Sequence, residues 1–193
     1  TTASITGVAA GTYSVTITDN NASTDTASVT IVEPAALIAA SVVDSNVSCN
    51  GLVDGGATAS ATGGTMSYNY VWSNAATTAS ITGVSAGTYS VTITDNNGCY
   101  DSSSVTVTEP TLVIVSAVLD SNEGCVGSLN GGATASATGG TPAYNYLWSN
   151  AATTASITGL GAGTYSVTVS DMNGCTDSSS VVISSAPVAS IIV

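Results

Sequence analysis

The chain repeats itself at an interval of 76 residues without an insertion or a deletion, and this limits its possible folds more than any other feature. The segment TTASITG at Thr77–Gly83 recurs at Thr153–Gly159 and again at Thr1–Gly7. Over Gly55–Gly83 and Gly131–Gly159 the two copies differ at only three positions. Identical tandem modules suit a role in which length and copy number matter more than one unique pocket. The sequence therefore predicts a repeat array.

The register of the repeat predicts how the chain divides into modules. Residues 1–34 are expected to be the C-terminal part of one module, 35–110 and 111–186 to be complete modules, and 187–193 to be the first strand of a following module. The natural protein is therefore expected to extend in both directions. A signal peptide, an anchor or a tip domain would lie outside this segment.

Charge and hydropathy restrict the partners. The 193 residues contain no Lys, Arg or His, and the formal net charge is −12. Nucleic acid and anionic membranes are poor partners because no cation attracts their phosphates. The longest apolar runs, such as Leu112–Val115, fall far short of the roughly 18–20 residues that a membrane-spanning helix needs. We expect no membrane insertion in this segment.

The same composition argues against catalysis. Without His, Lys or Arg there is no imidazole base, no Schiff-base lysine and no guanidinium clamp. The serines have no base to activate them. Paired carboxylates could in principle hydrolyse glycosides, but the acidic residues recur at turn positions of every module. We predict no enzyme and no catalytic residues.

Alternation of β-branched residues with Ser and Thr predicts an all-β fold with almost no helix. Roughly seven short strands per module, separated by Gly, Asn and Asp turns, indicate tandem immunoglobulin-like β-sandwiches arranged as an elongated rod. In 35–110 the predicted strands are Leu37–Val43, Ala57–Thr62, Tyr68–Trp72, Thr78–Ile81, Tyr89–Thr94 and Ser104–Thr108. The predicted inward-facing residues are Val71 or Trp72, Ile81, Tyr89, Val91, Ile93, Val105 and Val107.

Four cysteines are expected to form structural disulfides. Pairing within modules, Cys49 with Cys99 and Cys125 with Cys175, closes loops of about 50 residues and stabilises each module by about 4 kcal/mol. The rival pairing of Cys99 with Cys125 would leave Cys49 without a partner, because Ser23 stands at the equivalent position of the first module. A zinc site needs four ligands, and two cysteines per module without His do not supply them. We expect the within-module pairs, and hence an oxidising extracytoplasmic location.

An ordered series of motifs resembles a known family. It comprises Cys49–Gly51, the Gly55–Gly64 run GGATASATGG, Tyr70–Asn74, Thr78–Gly83, Ala86–Asp95 (AGTYSVTITD), Asn97–Cys99 and Val105–Pro110 (VTVTEP). These motifs resemble the SprB-type repeat of very large cell-surface adhesins of gliding bacteria, which are substrates of the type IX secretion system. The resemblance implies an immunoglobulin-like or PKD-like repeat in a long surface filament. The first module departs from the pattern, with Ala22-Ser23 in place of Gly98-Cys99.

Turn carboxylates are candidate calcium ligands, since extracellular Ca²⁺ prefers oxygen ligands. The candidates of one module are Asp95, Asn97 and Asp101, and those of the next are Asp171, Asn173 and Asp177. The alternative, which we favour, is an Asx-type turn in which each carboxylate accepts hydrogen bonds from its own backbone. No other cofactor is expected.

Two further features could bind or carry sugars. Thr26, in Asp25-Thr26-Ala27, fits a pattern that resembles an O-glycosylation signal of such bacteria; a solvated threonine is the alternative. Tyr68, Tyr70 and Trp72, and their repeat equivalents, could form a sugar-stacking stripe. Their spacing of two places them on one face of a sheet, where packing in the core is the commoner fate.

The function hypotheses follow from this organisation. In the first, the modules are stalk repeats of a giant secreted adhesin that projects from the cell surface for adhesion and gliding motility, with neighbouring repeats as partners and an external surface or polysaccharide as target. In the second, the modules self-associate into an extracellular filament or sheath, because lysines that usually guard sheet edges are absent. A carbohydrate-binding module is the third.

Overall fold

In a computed structural model that describes residues 3–186, the chain folds into a hairpin followed by two sandwiches of antiparallel strands, and no helix occurs among these residues. The hairpin consists of β1 (Gly11–Thr18) and β2 (Thr24–Ile31). The segment 187–193, expected to be a first strand, lies outside the described residues. No helix of the described chain is long and apolar enough to cross a membrane.

The first sandwich contains six strands in two three-stranded sheets. Its strands are β3 (Ile38–Ser45), β4 (Gly55–Thr62), β5 (Asn69–Trp72), β6 (Ser80–Val84), β7 (Gly87–Thr94) and β8 (Tyr100–Val107). One sheet has the order β3-β4-β6 and the other has the order β5-β7-β8. All strand pairs are antiparallel.

The second sandwich repeats this arrangement in the same register. Its strands are β9 (Ile114–Ser121), β10 (Gly131–Thr138), β11 (Asn145–Trp148), β12 (Ser156–Leu160), β13 (Gly163–Ser170) and β14 (Thr176–Ile183). The sheets have the orders β12-β10-β9 and β11-β13-β14. Each unit is an immunoglobulin-like β-sandwich, and the predicted all-β fold class is confirmed.

The core of the first sandwich lies between its two sheets. Trp72 lies at its centre, and its indole N–H donates to the Thr78 carbonyl oxygen at 2.9 Å. Small residues of β4 allow the sheets to approach closely: a Cβ added at Gly55 would lie 2.6 Å from the Val107 side chain. The buried apolar residues are Val47, Ala57, Ala59, Trp72, Ile81, Val84, Val91, Ile93 and Val107.

The predicted core is largely confirmed, except that two of its members are only partly buried. Of the two alternatives at the end of β5, Trp72 is buried at 2% exposure, whereas Val71 is 54% exposed on the outer face. Tyr89 and Val105 pack against the core but are only partly buried. Six strands form in each sandwich, where roughly seven were predicted.

Side chains of β8 join the two sheets of the first sandwich along their edges. The Ala39 N–H donates to Asp101 Oδ2 at 2.8 Å, and the hydroxyls of Ser41 and Ser103 lie 2.8 Å apart. In the second sandwich Asp177 accepts from the Val115 N–H at 2.8 Å. These bonds connect the two sheets of each sandwich along one edge. The two ends of a sandwich can be named from the direction of these edge strands.

We call the end at which β3 and β8 begin the N-terminal pole, and the end at which they finish the C-terminal pole. The N-terminal pole carries the turn between β7 and β8, which contains Cys99. The C-terminal pole carries the loop between β3 and β4, which contains Cys49. The second sandwich has Cys175 at its N-terminal pole and Cys125 at its C-terminal pole, so each module holds its two cysteines at opposite ends.

Candidate functional site at the junction between the sandwiches

The C-terminal pole of the first sandwich presents a loop, residues 46–54, that is held rigidly by its own polar groups. The Val47 N–H donates to the Thr108 carbonyl oxygen at 2.9 Å, and the Val47 side chain is buried. Asp54 accepts from both the N–H and the hydroxyl of Ser48. The Ser48 hydroxyl, followed by the Ser48 N–H, lowers the pKa of Asp54. These bonds fix the loop that carries Cys49.

The same loop binds the linker that leads to the second sandwich. The Gly51 N–H donates to Glu109 Oε2 at 2.7 Å, and the Asn50 side-chain amide donates to the Pro110 carbonyl oxygen at 3.1 Å. Proline fixes its own φ and restricts the residue before it. The linker therefore leaves the first sandwich in one defined direction.

On the other side of the junction, the turn before Cys175 is organised by a buried carboxylate. Asp171 Oδ2 accepts from the Thr141 N–H at 2.7 Å, and Oδ1 accepts from the Asn173 and Cys175 N–H groups at 2.9 Å each. The bond from Thr141 is the largest cause that lowers the pKa of Asp171; burial opposes it, and the bonds from Cys175, Asn173 and Gly174 add to it. Three fixed bonds to one carboxylate thus position Cys175.

Two direct contacts join the sandwiches. Cys49 and Cys175 form a disulfide with a Cα–Cα distance of 5.6 Å across 126 residues of sequence. Beside it, the Asn173 side-chain amide donates to the Ser48 carbonyl oxygen at 2.9 Å. The junction therefore has two covalent connections, the peptide linker and the disulfide, and one hydrogen bond between them.

The predicted pairing of Cys49 with Cys99, and of Cys125 with Cys175, is wrong. Within one module the two cysteines lie at opposite poles, separated by strands of eight residues. Such a strand spans roughly 26 Å at about 3.3 Å per residue, whereas a disulfide requires Cα atoms within about 7 Å. The rival pairing of Cys99 with Cys125 is also not formed, and both residues are free and exposed.

The candidate calcium ligands do not converge on one point. Asp95 and Asp171 accept from turn N–H groups, as the alternative of Asx-type turns predicted. Asp101 and Asp177 instead accept from the first strand of their own sandwich. Asn97 and Asn173 donate through their side-chain amides. In the described part of the chain no group of three or more Cys, Asp or Glu is arranged to hold a metal ion.

The aromatic stripe faces the core. Trp72 is buried, while Tyr68 and Tyr70 pack against the same core cluster, and the Tyr68 hydroxyl donates to the Gly63 carbonyl oxygen at 2.6 Å. The equivalent Tyr144, Tyr146 and Trp148 pack in the second sandwich in the same way. These rings therefore pack against the core, as the alternative of core packing predicted.

The glycosylation candidate remains a prediction. Thr26 is exposed on β2, where its hydroxyl lies 3.1 Å from that of Thr16 on β1. The Thr26 N–H donates to the neighbouring Asp25 carboxylate at 2.9 Å. The hydroxyl is on the solvent side of the hairpin, which is compatible with either a glycan or a solvated threonine.

Sequence reasoning missed the residues that build the junction. Ser48, Asn50 and Glu109 hold the loop and the linker, and Asn173 contacts the preceding sandwich. A usable signal was present in the order of the strands. Because β3 runs toward one pole and β7 runs toward the other, the loops that follow them, with Cys49 and Cys99, must lie at opposite ends.

Comparison with known proteins agrees with this architecture. A family model described as the SprB repeat matches residues 41–77 and 121–153, segments that include the cysteine loops and the buried tryptophans of both sandwiches. No curated protein matches the sequence significantly.

Among solved structures, similarity is distant. An amphioxus IgVJ-C2 molecule is 17% identical, with 79% of this chain and 98% of that chain covered and a TM-score of 0.32. The eight N-terminal immunoglobulin domains of Down Syndrome Cell Adhesion Molecule are 11% identical, covering 90% of this chain and 26% of that one, at a TM-score of 0.37. A C-terminal 282-residue fragment of intimin, solved with the intimin-binding domain of its translocated receptor, is 11% identical, covering 90% and 57%, at 0.36. The family model matches one segment in each sandwich, so the chain contains two segments similar to the SprB repeat, and the resemblance drawn from its motifs is confirmed.

Proposed function

We propose that this chain is a run of stalk repeats in a giant secreted bacterial adhesin, which projects from the cell surface for adhesion and gliding motility. The observation that carries the proposal is the junction, where a linker and the Cys49–Cys175 disulfide connect one SprB repeat to the next. Two covalent connections resist bending and twisting about the linker, whereas a single flexible linker would let each module pivot. A stiff array of this kind transmits force along its length.

The proposed modules are 35–110 and 111–186, with 1–34 as the end of a preceding module and 187–193 as the start of a following one. Supporting this division, β3–β8 and β9–β14 repeat the same strand order and register. Strands of about 26 Å set the approximate length that each module adds. A long array of such modules would reach far beyond the envelope as a semi-rigid rod.

The proposed location is extracellular, on the cell surface. A structural disulfide persists in oxidising compartments and is rare in the cytosol. The proposed role is structural and not enzymatic, because the geometry that the two modules share is used for packing and for the junction. Export by the type IX system belongs to the same proposal and rests on the SprB repeats.

Self-association into a filament or sheath is the second candidate, and one observation favours it. The β1–β2 hairpin exposes an apolar face, with Val15, Ile17 and Val29 each more than half exposed. Exposed β-strands with apolar side chains pair readily with other strands. In a longer chain the rest of the same module would cover this face, which is why we place the stalk first.

The test uses antibodies raised against residues 35–186 and filaments sheared from source cells. The proposal expects electron micrographs of filaments one module wide, labelled at many positions along their length. Filaments several modules across would favour the sheath, and unlabelled cells would contradict a surface location. Beads coated with the same antibody then test motility: beads that bind and are carried along the cell support gliding, and beads that bind without moving contradict that part alone.

A further inference from the structure

A second groove of the same kind as the junction lies at the N-terminal pole of the first sandwich. It has a volume of about 410 Å³ and is lined by the linker Glu33–Leu37 and by the turn residues Asp95, Asn97 and Cys99. Cys99 is a free, exposed thiol at this groove. The equivalent groove of the second sandwich shows which segment of the chain lies against a groove of this kind.

At the second sandwich the cysteine loop of the preceding one lies against the equivalent groove and lines one side of it, leaving a volume of about 260 Å³. It is lined by Thr111–Val113 and Gly174–Thr176, which follow Ala35–Leu37 and Gly98–Tyr100 by one repeat. The remaining lining residues are Cys49, Asn50 and Leu52, from the C-terminal pole of the first sandwich. The chain therefore contains one example of this groove with a cysteine loop against it, which we call filled, and one example without such a loop, which we call open.

The open groove has the polar groups of the filled one in the same geometry. The Cys99 N–H donates to Asp95 Oδ1 at 2.9 Å, as the Cys175 N–H does to Asp171 Oδ1. The Asn97 amide donates to Thr65 Oγ1 at 3.0 Å, as Asn173 does to Thr141 Oγ1 at 3.2 Å. Asn173 also donates to the incoming loop. The two side chains that contact that loop, a cysteine and an asparagine, are thus already positioned at the first sandwich.

The loop that contains Cys125 is the repeat equivalent of the loop that contains Cys49, and it has a similar turn. The Cys125 carbonyl oxygen accepts from the N–H three residues later at 2.9 Å, as the Cys49 carbonyl oxygen does at 3.1 Å. The buried Glu123 replaces Val47 and accepts from the Gly127 N–H at 2.6 Å and the Ala162 N–H at 3.1 Å, so a carboxylate holds this loop from within. Cys125 is exposed at the pole.

We propose that the groove at Cys99 is a binding site for the cysteine loop of a preceding SprB repeat, closed by a disulfide to Cys99, and that Cys125 supplies such a loop to a following repeat. Every junction with both cysteines then has a disulfide as well as its peptide linker, so neighbouring repeats are covalently connected twice. Where Ser23 replaces the second cysteine, the junction has only its peptide linker and acts as a hinge. The proposal depends on tandem repetition and not on the proposed adhesin role.

Bridge formation requires an oxidant of the disulfide class. Two thiols lose two protons and two electrons as the S–S bond forms, and a disulfide such as oxidised glutathione accepts them and is reduced to two thiols. The cysteine loop and the groove contribute by holding the two sulfur atoms together, which raises their effective concentration. No residue of the chain acts as the oxidant.

The experiment extends the full chain by one cysteine loop in register. A copy of residues 35–76 is fused directly before Thr1, which is the repeat equivalent of Thr77 and so completes the first module. The copy carries the change Val42→Ile at an exposed position, so that its cysteine peptide differs in mass from that of Cys49. The protein is refolded in a mixture of reduced and oxidised glutathione, alkylated without denaturation, and mapped by mass spectrometry after chymotryptic digestion. We expect the copy of Cys49 to be bonded to Cys99, with Cys125 as the only alkylated residue.

Controls separate failure to fold from failure of the proposal. In the matched variant the cysteine of the copied segment carries the change Cys→Ser; Cys99 should then be alkylated together with Cys125. Hydrogen exchange at β1 reports folding, because the completed module covers Val15 and Ile17. An alkylated Cys99 in the extended chain with β1 protected would overturn the proposal, as would a bond between the copied cysteine and any residue other than Cys99. If β1 exchanges freely, a chain in which a copy of residues 35–110 replaces residues 1–34 repeats the test with a complete upstream module in register, and the copy of Cys49 should again be bonded to Cys99.

Discussion

Two stretches of this chain have the same eight residues, GTYSVTIT, and the same strand conformation, but opposite surroundings. Gly11–Thr18 forms β1 and Gly87–Thr94 forms β7. Val15 is 56% exposed and Ile17 is 68% exposed, while the equivalent Val91 and Ile93 are both 0% exposed. The octapeptide thus forms a strand in both places. Burial of its valine and isoleucine requires the facing β3-β4-β6 sheet, which is present only at β7.

The cysteines show the same contrast at the poles. Cys175 and Cys99 occupy equivalent turns, each held by the carboxylate four residues earlier. Cys175 is bonded to the loop of a preceding sandwich, and Cys99 is free. In both pairs, β1 with β7 and Cys99 with Cys175, the two members have the same local structure. They differ in whether a neighbouring sheet or loop lies against them. Substitutions at equivalent positions should therefore have unequal effects.

The largest difference is expected at the cysteines. Cys175→Ser opens a bridge across 126 residues, which should lower the free energy of unfolding by up to about 5 kcal/mol in the chain-entropy account. Cys99→Ser should change it by less than about 0.5 kcal/mol, as expected for an exposed site. Guanidinium unfolding of both variants, without reductant, measures the difference. Equal effects of the two substitutions would contradict the observed pairing.

The next largest difference is expected in the octapeptides. Ile93→Ala removes a fully buried side chain and should cost about 2–5 kcal/mol, through lost burial and the remaining cavity. Ile17→Ala, at the same position of an exposed strand, should leave sandwich stability unchanged within about 0.5 kcal/mol. Thermal unfolding followed by near-ultraviolet circular dichroism reports the tryptophan environment of the sandwiches. A large loss from Ile17→Ala would mean that the hairpin packs on a partner in solution.

The third difference concerns acid stability and the edge of the sandwich. The bond from the Ala39 N–H, followed by that from Ser102, lowers the pKa of Asp101. An unfolded Asp has a pKa of about 3.9. The stabilisation from Asp101 is therefore complete above that pH and is lost as pH falls through the lower pKa of the folded state.

Asp101→Asn should consequently reduce stability at neutral pH and flatten the loss of stability below about pH 4. Asp25→Asn is the matched control, because in the hairpin this carboxylate accepts from its neighbour Thr26. It should leave the acid unfolding of the sandwiches unchanged. Urea unfolding at a series of pH values measures both slopes. The same pH profile for Asp101→Asn and the wild type would contradict a role for Asp101 in joining the sheets.

The smallest difference is expected at the hairpin turns, where Ala22 stands in place of Gly98. Both residues have a positive φ, 66° for Ala22 and 84° for Gly98. A side chain in this region costs about 1 kcal/mol. Ala22→Gly should stabilise the β1–β2 hairpin by about that amount, and Gly98→Ala should destabilise the β7–β8 turn by a similar amount. A Cβ at Gly98 would meet no atom within 4 Å, so the cost isolates backbone strain.

Hydrogen exchange of the hairpin amides measures these small effects. Ala22→Gly should slow exchange in β1 and β2 by several fold. Unchanged exchange would indicate that the hairpin is limited by its missing partner sheet and not by the turn.

The local parts of the fold could be predicted from sequence because they depend on neighbouring residues. Alternation in Tyr89–Thr94 identified β7, and Asp95 with Asn97 and Gly98 identified the turn. At the end of β5, alternation alone does not decide which face is inward; the partner sheet selects Trp72. Burial is a property of the assembled sandwich.

The junction was mispredicted because disulfide pairing depends on where strands place their ends in space. The loop of about 50 residues favoured pairing of Cys49 with Cys99. The Ser23 at the equivalent position of the first module favoured it further, because the rival pairing would leave Cys49 without a partner. Strand direction overrides both, since eight-residue strands keep those two cysteines apart. Counting strand reversals between cysteines would have placed Cys49 and Cys99 at opposite poles and left Cys175, in the next module, as a partner.

The most direct test of the account is a disulfide map of the unmodified chain. Trypsin has no site here because Lys and Arg are absent, so alkylation of free thiols is followed by chymotrypsin digestion and mass spectrometry under non-reducing conditions. The account predicts one bridged peptide pair containing Cys49 and Cys175, with Cys99 and Cys125 alkylated. A bridged pair containing Cys49 and Cys99 would contradict it and would restore independent, singly connected modules.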